Sequence, residues 1–210
     1  MLKLISLVIF GYLLASSSAT TGVDVSQLVS TSAWSCLASS GYSFAIVRGY
    51  RSGGSVDPNV ATNIQNARSA GFSYVDVYLF PCVPCGNAAG QMSDLVNAIS
   101  GQNYGMIWID VEVLNWGSQS SNQNFITEMI DQGRSLGVSM GIYTNKNNWS
   151  QIVGVNWNGA STLPLWYAHY DNSPSFGDFS SFGGWSTPSI KQYAGDKSAC
   201  GVGVDLNWYP

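Results

Sequence analysis

The chain has 210 residues, 45% of them hydrophobic and only 10% charged, with 8 Lys+Arg against 12 Asp+Glu and a net charge of −4. That length supports one domain with a sizeable core and excludes a disordered segment or a coiled coil. The acidic balance offers no basic face for nucleic acid and no attraction to anionic membranes, so the expected partner is neutral and polar and the expected state is a monomer.

Residues 1–19 read as a signal peptide: Lys3 supplies a positive charge, Leu4 to Leu14 form an apolar run, and Ser17-Ser18-Ala19 places small residues where a signal peptidase cuts. The run is about half the ~20 residues a membrane span needs, and no later stretch is long enough. Residues 20–210 are then one domain in an oxidising compartment, either the medium or the lumen of a phagolysosome or digestive vacuole.

Short runs rich in β-branched and aromatic residues follow in order at Gly22 to Ser26, Phe44 to Arg48, Tyr74 to Phe80, Met106 to Glu112, Val138 to Thr144, Leu165 to His169, Ser189 to Tyr193 and Val204 to Asn207. Helical patterns fall between them at Ser32 to Ser39, Pro58 to Ala70, Ala88 to Ile99 and Asn122 to Leu136. Asp57-Pro58 has the form of an N-cap followed by Pro at the first helical position, and Gly71 and Gly137 are stop signals. Strand and helix alternate, which predicts an α/β fold with a parallel sheet, and eight strands predict a closed β/α barrel. Ser173 to Gly184 is rich in Ser, Gly, Phe and Pro, so the C-terminal part of the barrel is expected to be irregular.

Cys36, Cys82, Cys85 and Cys200 are an even set in a chain with a secretory pattern, which makes disulfides the default and leaves three possible pairings. The expected pairs are Cys36–Cys200, on elements that barrel closure brings together, and Cys82–Cys85 within one loop. Cys82-Val83-Pro84-Cys85 has the spacing of half a zinc site, but no second close pair completes it, and the chain has a single His, His169. No metal or other cofactor is expected.

The acids carry the functional signal. The fourth strand ends Trp108-Ile109-Asp110-Val111-Glu112, and because side chains alternate along a strand, Asp110 and Glu112 face one side. In a barrel the C-terminal strand ends bear the active site. The other Glu, Glu128, falls in a helical pattern and reads as a solvated side chain. Asp24 in the first strand and Asp205 in the last become neighbours when the barrel closes. Carboxylates crowded around one pocket raise one another's pKa, which keeps one protonated as an acid while another stays charged, the arrangement glycoside hydrolysis needs. Taken singly, each Asp is as readily a cap or turn residue. Of eight Trp, Trp166 and Trp116 are candidates for a sugar groove, whereas Trp108, deep in its strand, reads as packing. Asn148-Trp149-Ser150 is a glycosylation sequon.

Gly22-Val23-Asp24-Val25-Ser26, Asp110-Val111-Glu112, Gly141-Ile142-Tyr143-Thr144, Leu165-Trp166-Tyr167-Ala168-His169-Tyr170, Gln192-Tyr193 and Val204-Asp205-Leu206-Asn207, in this order across residues 21 to 210, resemble the glycoside hydrolase family 25 lysozymes, the Chalaropsis-type muramidases with a modified β/α barrel. Arg48-Gly49-Tyr50 and Phe80-Pro81-Cys82 are similar to segments of the branch found in amoebae and nematodes. The resemblance implies hydrolysis of the β-1,4 bond between N-acetylmuramic acid and N-acetylglucosamine in bacterial peptidoglycan. It implies Glu112 as the acid, Asp110 as its partner, and Asp24 and Asp205 as flanking carboxylates. Tyr78, Tyr143 and Trp166 match groove aromatics, and His169 stands where bacterial members often have Gln; a hydrogen-bonded structural role competes with substrate contact for that His. A chitinase-like hydrolase and a catalytically silent glycan-binding barrel with an immune or signalling role are the alternatives. The second would keep the aromatics and lose the acid.

Overall fold

The computed structural model describes residues 19–112 and 115–210. The expected signal peptide lies outside the described residues except for Ala19. In chain order the elements are β1 (Thr20–Val25), α1 (Thr31–Ser39), β2 (Phe44–Arg51), β3 (Ser55–Val56), α2 (Val60–Ser69), β4 (Tyr74–Leu79), a 3-10 turn (Val83–Cys85), α3 (Ala88–Ala98), β5 (Ile107–Asp110), α4 (Gln119–Ser135), β6 (Met140–Thr144), α5 (Lys146–Ile152), β7 (Leu165–Ala168), β8 (Ile190–Ala199) and β9 (Val202–Tyr209).

All eight expected strands form, and the sheet closes through β1 pairing with both β2 and β9. The direction of the last strand differs from the expected parallel sheet: β9 runs antiparallel to both β8 and β1. A parallel return needs a crossover of about a dozen residues or more, and only Cys200 and Gly201 separate β8 from β9. Both have positive φ, 54° and 74°, the conformation of a tight hairpin turn whose twist matches the strands it joins.

Three other differences are local. Helix α2 starts at Val60 with Asn59 at its N-cap position. Asp57, expected to be the cap, accepts the Asn59 N–H and binds Arg48 and Arg51 instead. The short α5 was hidden in the polar run Lys146-Asn147-Asn148 and is started by the Asn145 side chain, which accepts the Asn148 N–H. The two-residue β3 extends the sheet beyond β2. As expected, no helix or strand forms between β7 and β8, where the chain contributes one isolated bridge, Phe182 to Trp185.

Strand alternation divides the core into two layers. Val23, Val25, Ala45, Val47, Val75, Val77, Ile107, Ile109 and Ile142 face outward and pack with the helices. Phe44, Ile46, Trp108, Tyr143, Trp166 and Ile190 fill the barrel. The bulky interior fits because Gly141 leaves room for the Trp108 ring on the neighbouring strand: a Cβ there would lie 2.3 Å from it.

Both expected disulfides are present, Cys36–Cys200 spanning 164 residues and Cys82–Cys85 spanning 3. The first ties the β8–β9 turn to α1. Because a cross-link restricts the unfolded chain more as its loop lengthens, Cys36→Ser/Cys200→Ser should cost about 2–5 kcal/mol and Cys82→Ser/Cys85→Ser clearly less. At about 2–4 °C per kcal/mol for a chain of this size, calorimetry should show the larger fall in Tm for the first pair, and equal falls would contradict this account.

Candidate active site

The inward residues at the C-terminal ends of the parallel strands, with those of β9, converge on a pocket of about 230 Å³ lined by Asp24, Asp110, Glu112 and Asp205. All four acids singled out in the sequence therefore meet. Asp24 and Asp205 are register partners across β1 and β9. Asp110 ends β5 and is 5% exposed, while Glu112 lies two residues further on at the pocket mouth, half-buried. The ladder continues past the strand through the Val111 N–H, which donates to the Tyr143 carbonyl at 2.8 Å, so Glu112 keeps the inward phase of Trp108 and Asp110.

Three of the four expected binding residues, Tyr78, Tyr143 and Trp166, line this same pocket. The fourth, His169, lines an adjoining compartment of about 350 Å³ with Glu112, Tyr143, Asn145, Asn148 and Tyr170. His169 Nδ1 is hydrogen-bonded to Asp178, the structural partner foreseen as the competing reading. Trp166 forms the floor, its indole N–H donating to Asn207 Oδ1 at 2.8 Å and its ring meeting Tyr143 edge-on. Trp108 packs below it and donates to Asp76, as its depth in the strand implied. Trp116 differs from expectation: its indole N–H donates to the Glu112 carbonyl and its ring packs on Phe125 of α4, so it braces the segment that carries Glu112 from behind.

Sequence reasoning gave no role to the amides that organise the pocket. Gln192 Nε2 donates to Asp24 Oδ2 at 2.8 Å and to Asp205 Oδ2 at 3.2 Å, and its Oε1 accepts from the hydroxyls of Tyr143 and Tyr170 at 2.6 and 2.8 Å. Asn207 Nδ2 donates to Asp24 Oδ2 at 2.7 Å. The signal was available for Asn207, which shares the inward phase of β9 with Asp205. Gln192 lies on β8, beside its sequence neighbours β7 and β9, and reaches Asp24 only because β9 also pairs with β1.

Electrostatics separate the four acids. Burial, reinforced by the charge of Asp205, pushes Asp24 up to about 7 against the hydrogen bonds from Asn207 and Gln192. Burial first, then Glu112 and Asp24, hold Asp110 well above the ordinary carboxylate range. Asp110 Oδ1 is buried with no hydrogen-bond partner among the described residues. Glu112 is raised by partial burial and by Asp205. Asp205 is raised by burial, although the Asp196 N–H donates to it. The cluster thus retains protons that isolated carboxyls have lost near neutral pH. Tyr78, Tyr143 and Tyr170 are all pushed upward, so they act as neutral hydroxyls.

No metal-ligand set was expected, yet the fold brings ligand atoms of His169, Asp171 and Asp178 within 4.8 Å of one another. The positive charge between these carboxylates belongs to Lys191, fully buried, whose Nζ donates to Asp171 Oδ2 at 2.8 Å and Asp178 Oδ1 at 2.7 Å. Another open trough, about 800 Å³ between α1, α2 and the β8–β9 turn, is lined by Gln, Ser, Thr, Asn, the Cys36–Cys200 pair and apolar residues such as Leu28 and Val29, and offers no acid or base.

A raised carboxyl binds its proton more tightly in the folded chain, so its stabilising contribution is present at low pH and lost as pH rises through the folded value. Asp24, raised from 3.8 to about 7, sets that window. Asp57, Asp171 and Asp178 are lowered, and their contributions are complete by about pH 5. Urea unfolding should therefore show stability falling between about pH 5 and 7, and Asp24→Asn should flatten that slope; an unchanged slope in the variant would remove Asp24 as its source.

Residues 15–193 match the sequence family described as Lysozyme-like protein 1. The chain is 50% identical over 207 residues to probable GH family 25 lysozyme 2 of Dictyostelium discoideum, covering 97% of each chain. To lysozyme-like protein 5 of Caenorhabditis elegans it is 41% identical over 200 residues, covering 92% of this chain and 93% of that one. The barrel matches the muramidase of Acremonium alcalophilum with a TM-score of 0.75 at 22% identity, over 91% of this chain and 93% of that one, a likeness of fold. With half of its residues shared over nearly the full length of one such relative, the chain belongs to the glycoside hydrolase family 25 lysozymes.

Proposed function

We propose that the chain is a secreted lysozyme that hydrolyses the β-1,4 bond between N-acetylmuramic acid and N-acetylglucosamine of bacterial peptidoglycan, with Glu112 as general acid and Asp110 assisting. The observation that carries this reading is the convergence of Asp110 and Glu112 with Asp24 and Asp205 on one pocket floored by Trp166. Family membership and the relatives named as lysozymes support the substrate. The apolar run of residues 4–14 and the two disulfides support an oxidising destination, either the medium or a digestive lumen.

Roles follow from depth. Glu112 stands at the mouth where both compartments meet, able to deliver a proton to the oxygen leaving between two sugars. Asp110 lies below it in the pocket lining, and its carboxylate is an acceptor suited to the acetamido N–H of the bound sugar. Such a donor favours the ionised form of Asp110, and the new charge raises Glu112 further, which moves the shared proton onto the acid. Asp110 then orients the acetamido oxygen, which bonds to the anomeric carbon as the bond to the leaving oxygen breaks and that oxygen takes the Glu112 proton; water then opens the resulting oxazolinium ring at the same carbon and returns a proton to Glu112. Asp24, raised to about 7, holds its proton at mildly acid pH, Asp205 supplies negative potential to the developing cation, and Tyr78, Tyr143, Trp166 and His169 bind the sugars.

Hydrolysis should peak at mildly acid pH: the rate falls on the alkaline side as the cluster loses the acid's proton, and on the acid side as the stabilising carboxylates become neutral. Clearing of bacterial walls, read beside colloidal chitin, separates a muramidase from a chitinase and from a silent barrel. Glu112→Gln keeps size and hydrogen bonding but removes the transferable proton, and should lower the rate by ~10²- to 10⁴-fold without loss of folding. Asp110→Asn should also be severe, whereas Glu128→Gln, exposed on α4, should be nearly silent. A Glu112→Gln variant within a few-fold of wild type would end the assignment. Exhaustive chelation should leave clearing undiminished, and loss restored by a divalent ion would contradict the mechanism.

A further inference from the structure

The Arg48-Gly49-Tyr50 segment is not used by the chemistry above. In β2, Phe44, Ile46 and Arg48 share the inward phase, and Arg48 stands beside Tyr78 of β4 at the pocket rim. The register shifts immediately after Arg48, at Gly49, where a Cβ would lie 2.3 Å from Val77, and the shift returns Tyr50 to the outer core. Arg48 thus ends the inward series and faces the cleft.

Its charge is not consumed by the protein. Arg48 Nε donates to Asp57 Oδ2 at 2.8 Å, and Arg51 donates to the same carboxylate through Nε at 3.1 Å and Nη2 at 3.2 Å. One carboxylate, 2% exposed, serves two guanidiniums, which leaves a net positive charge at the pocket wall. Neither Nη1 nor Nη2 of Arg48 has a hydrogen-bond partner among the described residues, and its side chain remains 27% exposed. Every other charged residue lining the carboxylate pocket is an acid.

We propose that Arg48 is a specificity-determining residue that receives a substrate carboxylate on its free Nη edge. This rests on the muramidase reading and deepens it: muramic acid differs from N-acetylglucosamine by a lactyl ether ending in a carboxyl group, and peptide attached there brings carboxylates of its own. A planar fork anchored through Nε leaves the Nη groups fixed for such a partner, which a lysine ammonium would not reproduce. Four acids in the pocket repel an anionic glycan, and Arg48 provides the local attraction that admits it.

The test uses binding, so that it does not depend on turnover. Peptide-free peptidoglycan tetrasaccharide, with its lactyl carboxyls free or methyl-esterified, is titrated into Glu112→Gln and into Glu112→Gln/Arg48→Gln. Esterification should weaken binding to the first about tenfold, and the added Arg48→Gln should weaken binding of the free acid by a similar factor and abolish the effect of esterification, a coupling of about 1.4 kcal/mol. Arg51→Gln in the same background, which disturbs Asp57 without touching the pocket, should keep the discrimination, and Arg48→Lys should keep part of it. A matching loss seen only with peptide-bearing glycan would place the recognised carboxylate on the peptide. Equal affinity of the Arg48-intact protein for free and esterified glycan, with no Arg48 effect on peptide-bearing glycan, would overturn the proposal, as would full discrimination without Arg48. Failure of wild type to clear walls would instead overturn the hydrolytic reading and leave this comparison intact.

Discussion

Two carboxyl groups directly opposed across a sheet repel each other, yet Asp24 and Asp205 are register partners on β1 and β9 at the seam where the barrel closes. The seam is made tolerable by amides: Gln192 donates to both acids and Asn207 donates again to Asp24. Burying such groups costs stability unless their oxygens are matched by donors, and here the match is incomplete by design of the pocket, because full neutralisation by cations would erase the raised pKa values. Closure of the barrel and readiness of the acids are therefore one problem, solved by the same few side chains.

The floor beneath the acids has an equal part in this. Trp108, Tyr143 and Trp166 meet edge-on inside the barrel, and their polar atoms are fully assigned, to Asp76, Gln192 and Asn207 respectively. The rings remove water from one side of Asp110 and Asp24, which is why burial is the leading cause of both shifts. Asp76 is a useful contrast. It too is raised by burial, but it accepts the Met106 N–H and the Trp108 indole N–H, so both its oxygens have partners and it serves as a brace. Asp110, whose Oδ1 has no partner among the described residues, lines the pocket instead of serving as a brace.

Apart from Arg48 at the pocket rim, the positive charges described above lie away from the four acids. Lys191 adjoins Gln192 in sequence, but strand alternation sends its side chain out of the barrel, where Asp171, Asp178 and the Ser175 carbonyl surround the ammonium. That cluster pins the irregular segment after β7 against the barrel and, through Asp178, holds His169 at the cleft wall. On the other flank, Asp57 gathers Arg48 and Arg51. Lys191 is thus held by carboxylates outside the pocket, while Arg48, sharing Asp57 with Arg51, keeps its Nη edge toward it.

The strands, four of the helices and the inward phase of Asp110 and Glu112 were legible in the sequence because they depend on local periodicity: alternation of two in a strand fixes which residues share a face. The disulfide pairs were legible for a related reason, since barrel closure follows from strand count and brings Cys36 near Cys200. The direction of β9 was not inferred, although the short Cys200-Gly201 turn forbids a crossover. Other features had no local signature at all. Gln192 beside Asp24, Lys191 between Asp171 and Asp178, Trp116 behind Glu112 and Arg48 sharing Asp57 with Arg51 depend on which elements become neighbours. The residue types able to do the chemistry and the face each occupies were set by the sequence; the order of the acids' proton affinities was set by the tertiary structure, because burial and the distance to other charges exist only once the chain is folded.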